Sequence, residues 1–142
     1  PVAAGWNVYM RNVRTSLSAP RKLCELGICA VALLTGAHYE YHHHAPEYLK
    51  AGGTQAELEG LKRAIDANPA DGVTDPALDE MSQWVVHYAA QMTLRVKVDE
   101  LLFKKLQSCL NTTEIVELTT TIAAYNMVAR ILVALEISPE EK

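Results

Sequence analysis

Apolar side chains recur at helical spacing along almost the whole chain, and no segment alternates convincingly between apolar and polar residues. The first stripe comprises Trp6, Tyr9, Met10, Val13 and Leu17, which share one face of a helix. A continuous apolar run over residues 26–34 predicts a helix buried on all sides. The pattern therefore predicts an all-α protein.

Capping and breaking residues divide this pattern into six or seven helices. Ser18 and Pro20 predict the start of the second helix, and Gly36 predicts its end. Thr54 followed by Glu57 is a capping box that begins another helix. We expect helices over about residues 6–17, 20–35, 39–51, 54–67, 75–93 and 98–110, and a last helix that ends near residue 135 after a Thr112 or Thr113 cap. Residues 68–74 are rich in turn formers and predict a loop.

The last predicted helix has almost no polar face between residues 122 and 135. A terminal helix this apolar requires cover from its own domain or from other subunits, and 142 residues offer limited cover. We therefore expect one compact helical domain over residues 1–142 that assembles as a homo-oligomer.

The composition of the chain argues against nucleic acid and membranes as partners. The 13 basic and 17 acidic residues give a formal net charge of −4, which argues against a nucleic-acid surface. The longest apolar run is about half of a membrane span, and residues 1–12 lack the pattern of a signal peptide. Cys24, Cys29 and Cys109 form neither a disulfide framework nor a zinc motif, which favours a reducing compartment. We expect a cytoplasmic protein with a small-molecule partner, no nucleic acid and no membrane.

Four of the five histidines lie between residues 38 and 44. Glu40 and His44 are four apart and share a helical face, as do His38 and His42 on another face. A carboxylate beside an imidazole orients the ring and stabilises its protonated form. Three interpretations fit the spacing: a proton-transfer pair, a solvated surface pair, and a metal site. We expect no functional metal, because a third ligand would have to come from far along the chain.

Glu25 lies in the second predicted helix, and its neighbours at i+3, i+4 and i+7 are Ile28, Cys29 and Ala32. Burial of this face would desolvate the carboxylate and favour its protonated form, making it a proton donor near neutral pH. The alternative is an ordinary pair between Arg21 and Glu25 near the helix start.

Taken together, several segments resemble the carboxymuconolactone decarboxylase family, which belongs to the alkylhydroperoxidase D-like superfamily. The order and spacing of these segments carry the resemblance, which covers most of the chain from residue 20 to residue 137. The matching segments are Pro20-Arg21, Glu25-Leu26, residues 35–41 (TGAHYEY), His44, residues 49–52 (LKAG), residues 114–118 (EIVEL) and residues 125–130 (YNMVAR).

The resemblance implies an all-helical fold that assembles as homotrimers or homohexamers. The peroxidase branch has an upstream Glu, a Cys-x-x-Cys pair and a downstream His. On this chain those positions fall on Glu25, on Ala37 and Glu40, and on His44. Both cysteines are missing, so we expect no thiol peroxidase activity. The decarboxylase branch has Glu and His where Glu40 and His44 stand. Many relatives carry Arg before the upstream Glu, whereas this chain has Cys24, which indicates a different substrate class.

These observations lead to the hypothesis of a cofactor-free lyase that decarboxylates a small carboxylated lactone or β-keto acid. Such an enzyme stabilises an enolate and delivers a proton to carbon. The alternatives are an isomerase or tautomerase that uses the same groups, and a non-catalytic oligomeric binding protein of the same fold. The assigned roles are His44 as general acid/base, Glu40 as its partner, Glu25 as a buried relay, and His43, Tyr41 and His38 as substrate-binding residues.

Overall fold

The computed structural model describes residues 1–72 and 74–137, and these residues form seven α-helices and one short 3₁₀ helix without a β-strand. In chain order the α-helices are α1 (Val2–Thr15), α2 (Arg21–Thr35), α3 (His38–Lys50), α4 (Gln55–Asp66), α5 (Glu80–Arg95), α6 (Glu100–Gln107) and α7 (Thr112–Ala134). The 3₁₀ helix, Pro69–Asp71, lies in the segment predicted as a loop. The all-α class and the helix number are confirmed.

Two of the predicted helix boundaries are correct. Gly36 ends α2 with φ of +68°, a left-handed conformation that glycine adopts without strain. Thr54 and Glu57 form the capping box of α4. The start of α5 was predicted too early, because Asp79, rather than Asp75, caps it through Ser82. Asn111 caps α7, in a box with Glu114, in place of the predicted threonines.

The core is built around α2, which packs mainly on α7, α3 and α5. Ten consecutive residues of this helix, from Leu23 to Ala32, are buried. Gly27 permits its close approach to α7, because a Cβ at this position would lie 3.2 Å from Cγ1 of Ile122. Burial of nearly every face of α2 explains why its sequence lacks a polar stripe.

Among the described residues, α7 is the one helix long and apolar enough to cross a membrane by length and composition. Core helices of soluble proteins meet the same criteria, and α7 packs against α2 within the core. The last two turns of α7 and the residue that follows them expose several apolar side chains to solvent. These are Met127, Ile131, Val133 and Leu135.

Candidate functional site

The turn at Gly36 brings two helices together so that α3 packs along α2. Two stripes follow α3, each with i, i+3, i+4, i+7 spacing and therefore each on its own face. One stripe, Glu40, His43, His44 and Glu47, lines a cleft that α1 and α7 complete. The other stripe faces α4.

The imidazole of His44 lies between two carboxylates. Its Nδ1 is 2.8 Å from Oε2 of Glu25, and its Nε2 is 3.2 Å from Oε2 of Glu40. All three residues are buried, with exposed fractions of 9% for His44, 7% for Glu25 and 9% for Glu40. A neutral imidazole has one N–H, whereas an imidazolium donates from both nitrogens. The Nδ1 contact is a hydrogen bond and the Nε2 contact is at ion-pair distance, so a protonated ring would face a carboxylate at each nitrogen.

Electrostatics favour the same protonation state. Burial by itself lowers the pKa of His44, but the hydrogen bonds and negative charges of Glu25 and Glu40 outweigh burial and raise this pKa to about 9. The guanidinium of Arg21 lies 3.9 Å from Oε1 of Glu25 and offsets part of the remaining negative charge. At neutral pH the cluster therefore holds a proton on the imidazole.

The cleft beside this cluster has a volume of about 350 Å³. Its walls include Glu40 and His44 but not Glu25, which lines a separate cleft of about 260 Å³ together with Cys24 and Thr121. His43, predicted to bind substrate, lies in the wall of the first cleft beside Tyr39. A ligand in that cleft would meet the Glu40 side of the imidazole.

The structure does not bring Tyr41 and His38 to this cluster. They belong to the second stripe of α3 and line a groove of about 520 Å³ between α3 and α4. In that groove the Nζ of Lys62 lies 5.3 Å from the centre of the Tyr41 ring. Successive residues are about 100° apart around a helix, so Tyr41 and His38 lie about 60° and about 120° from His44, on the side that faces α4. Within the described ranges no three His, Cys, Asp or Glu residues are arranged to hold a metal ion.

Two further residues of the cleft were not singled out from the sequence for a role in the site. Tyr125 of α7 meets the His44 ring edge to face, with 4.9 Å between ring centres. Arg14 of α1 lines both clefts, on the two sides of the cluster. Helical periodicity places Tyr125 on the buried face of α7, but no local pattern links these residues to α3. Their proximity to His44 follows only from the packing of α1, α3 and α7 around the cleft.

The three cysteines lie in environments that suppress thiolate formation. Burial raises the pKa of Cys24 to about 11, and burial also raises the pKa values of Cys29 and Cys109. All three are free thiols. None occupies position 37 or 40, where the resemblance would place a reactive pair.

Comparison with known proteins gives a likeness at the level of fold. No protein-family profile and no curated protein matches the chain. A crystal structure from Agrobacterium tumefaciens matches with a TM-score of 0.81 over 99% of this chain and 92% of that chain, at 15% identity. That protein is of unknown function and is described as a candidate antioxidant defence protein, AhpD. The chain has an AhpD-like fold.

The AhpD-like fold agrees with the all-helical fold that the sequence resemblance implies. At 15% identity the likeness establishes the architecture and nothing about the reaction. The decarboxylase branch therefore belongs with the proposal that follows.

Proposed function

We propose that this protein is an acid/base enzyme that decarboxylates a small carboxylated lactone or β-keto acid. The single observation that supports this proposal is the buried Glu25–His44–Glu40 cluster, which holds a proton beside a cleft. Buried clusters of titratable groups next to a cavity are typical of catalytic sites.

The reaction needs little beyond a proton and a polarised oxygen. When the bond to CO₂ breaks, its electron pair moves to the α-carbon and is shared with the adjacent carbonyl as an enolate. A proton then adds to the α-carbon, and the net change is loss of CO₂ with uptake of one proton. His44 supplies this proton, directly or through Glu40, and solvent restores it. A neighbouring cation or hydrogen-bond donor stabilises the enolate oxygen.

The two carboxylates have different positions and therefore different roles. Glu25 lies behind the ring, away from the main cleft, and fixes its orientation through Nδ1. Glu40 lies in the cleft wall beside Nε2, where it can exchange a proton with a ligand. Glu25 is thus a positioning residue, whereas Glu40 and His44 would touch the substrate.

The antioxidant role suggested for the Agrobacterium protein is not our proposal for this chain. Peroxide reduction by thiols needs a reactive thiolate and a resolving partner. The raised pKa values of Cys24 and Cys29 disfavour the thiolate, and both side chains are buried. A cluster that stabilises a proton on an imidazole fits acid catalysis better than it fits peroxide reduction by thiols.

Product analysis tests the proposal. A panel of β-keto acids and carboxylated lactones is incubated with wild-type protein, His44→Ala and the control His42→Ala, an exposed histidine of the same helix. We expect CO₂ release from at least one substrate by wild type and His42→Ala, with a loss of about 10²–10⁴-fold in His44→Ala. Rearranged product without CO₂ would favour the isomerase alternative, and turnover by none of the three proteins would contradict the proposal.

A further inference from the structure

One buried polar atom near the cleft has no partner. Tyr125 is 2% exposed, and its hydroxyl is the one buried side-chain nitrogen or oxygen without a hydrogen bond among the described residues. Buried hydroxyls are almost always paired, since leaving one unpaired costs stability. Such an exception beside a candidate active site calls for a functional explanation.

A second buried tyrosine, Tyr48, has a different environment. Tyr48 is fully buried, and its hydroxyl donates a 2.8 Å hydrogen bond to Glu57. Tyr48 thus shows the ordinary structural use of a buried tyrosine. Tyr125 differs in lining the cleft beside His44 and Glu40 and in having a hydroxyl that is buried without a hydrogen-bond partner.

The surroundings of this hydroxyl determine what it binds. Burial raises the pKa of Tyr125, and the negative charges of Glu40 and Glu25 raise it further. The phenol therefore stays protonated and acts as a hydrogen-bond donor at neutral pH. A ligand atom that pairs with it must be an acceptor, such as a carbonyl or enolate oxygen.

Arg14 is a second residue of this cleft with a group that can bind a ligand. Its guanidinium lines the same cleft, acts electrostatically on Tyr125, and forms no ion pair with a carboxylate in the described part of the chain. A carboxylate ligand placed next to Glu40 would be repelled without a nearby cation. An arginine can bind a carboxylate through two parallel hydrogen bonds.

We propose that Tyr125 and Arg14 form a binding site for a small oxo-carboxylate, in which Arg14 binds the carboxylate and Tyr125 donates to the oxo oxygen. This inference rests on the proposed function, because the oxo oxygen is the atom that becomes the enolate oxygen in decarboxylation. The cleft volume of about 350 Å³ suits a ligand of this size. Aromatic and apolar side chains of Trp6 and Met10 would cover its carbon skeleton.

The test uses two ligands that differ in one oxygen. Levulinate carries a carboxylate and a ketone but is not a β-keto acid, so its binding is independent of decarboxylation. Pentanoate has the same chain without the ketone. Binding is followed by NMR chemical shifts for wild type, Tyr125→Phe, Arg14→Gln and the control Tyr48→Phe.

We expect Tyr125→Phe to weaken levulinate about three- to tenfold and to leave pentanoate unchanged, as loss of one hydrogen bond implies. Arg14→Gln should weaken both ligands by a similar factor. Tyr48→Phe should alter neither affinity but should lower the melting temperature, since it leaves Glu57 with one donor fewer. Tyr125→Phe should not lower the melting temperature, because no hydrogen bond is lost.

Three results would overturn the inference: no levulinate binding by wild type, equal affinity for the two ligands, or equal weakening of both by Tyr125→Phe. Failure of the proposed function is a separate outcome. If levulinate binds through Tyr125 and Arg14 while no substrate of the panel loses CO₂, the oxo-carboxylate site stands and the decarboxylase proposal fails.

Discussion

We expect the protein to become less stable as the pH rises, because the folded state then loses the proton on His44. In the folded state the pKa of this ring is raised from 6.5 to about 9, so the native state keeps a proton that the unfolded chain releases. Below pH 6.5 both states are protonated and the contribution to stability is fully present. It is lost as the pH rises through 9, because the free energy of unfolding falls wherever the native state binds more protons.

The size of this effect follows from the two pKa values. At about 1.4 kcal/mol for each tenfold change in proton affinity, the interval between 6.5 and about 9 corresponds to about 3 kcal/mol. Burial of His44 makes solvent screening slight, so the figure needs little reduction.

Urea denaturation at pH 6, 8 and 10 measures the free energy of unfolding directly. Lysines and tyrosines also titrate in this range, so the quantity that matters is the difference between wild type and His44→Gln. We expect this difference to shrink by about 3 kcal/mol from pH 6 to pH 10. The control His42→Gln should follow wild type throughout. A difference that stays constant across the range would refute the assignment of the proton to His44.

Three further predictions concern packing, assembly and redox chemistry. Gly53→Ala should destabilise the protein by roughly 1–3 kcal/mol in urea denaturation, since the added Cβ would clash with the buried Tyr48 ring; unchanged stability would mean that the ring has room to move. Light scattering should show a trimer or hexamer, because the end of α7 exposes an apolar surface; a monomer at micromolar concentration would contradict this. Peroxide reduction with thiol donors should stay at background; robust turnover that vanishes on replacing Cys24 or Cys29 would contradict the interpretation of both thiols.

The fold could be predicted largely because it depends on local signals. Gly36 and the Thr54–Glu57 pair determine helix ends through their own backbone and side chains, and both were predicted correctly. Asp79 and Asn111 show the limit of this reasoning, since several residues nearby are chemically suitable caps and tertiary packing selects one of them.

The site was predictable in proportion to how much of it lies on one helix. Spacing alone places Glu40 and His44 together, and the turn at Gly36 brings Glu25 to them. Spacing did not separate the two stripes of α3, and Tyr41 lies on the stripe that lines the groove toward α4. Tyr125 comes from a helix about eighty residues away along the chain, and no sequence periodicity reports that its hydroxyl lacks a partner.

The most direct test of the central claim is the rate of decarboxylation of the best panel substrate by Glu25→Gln, Glu40→Gln, His44→Gln and the triple variant. All reactions contain EDTA, and circular dichroism confirms folding. Because the three groups act on one proton, each single change should lower kcat by about 10²–10⁴-fold. The triple variant should lose little more than the worst single variant. Near wild-type turnover in His44→Gln and Glu25→Gln would contradict the claim and leave the cluster as a structural ion pair.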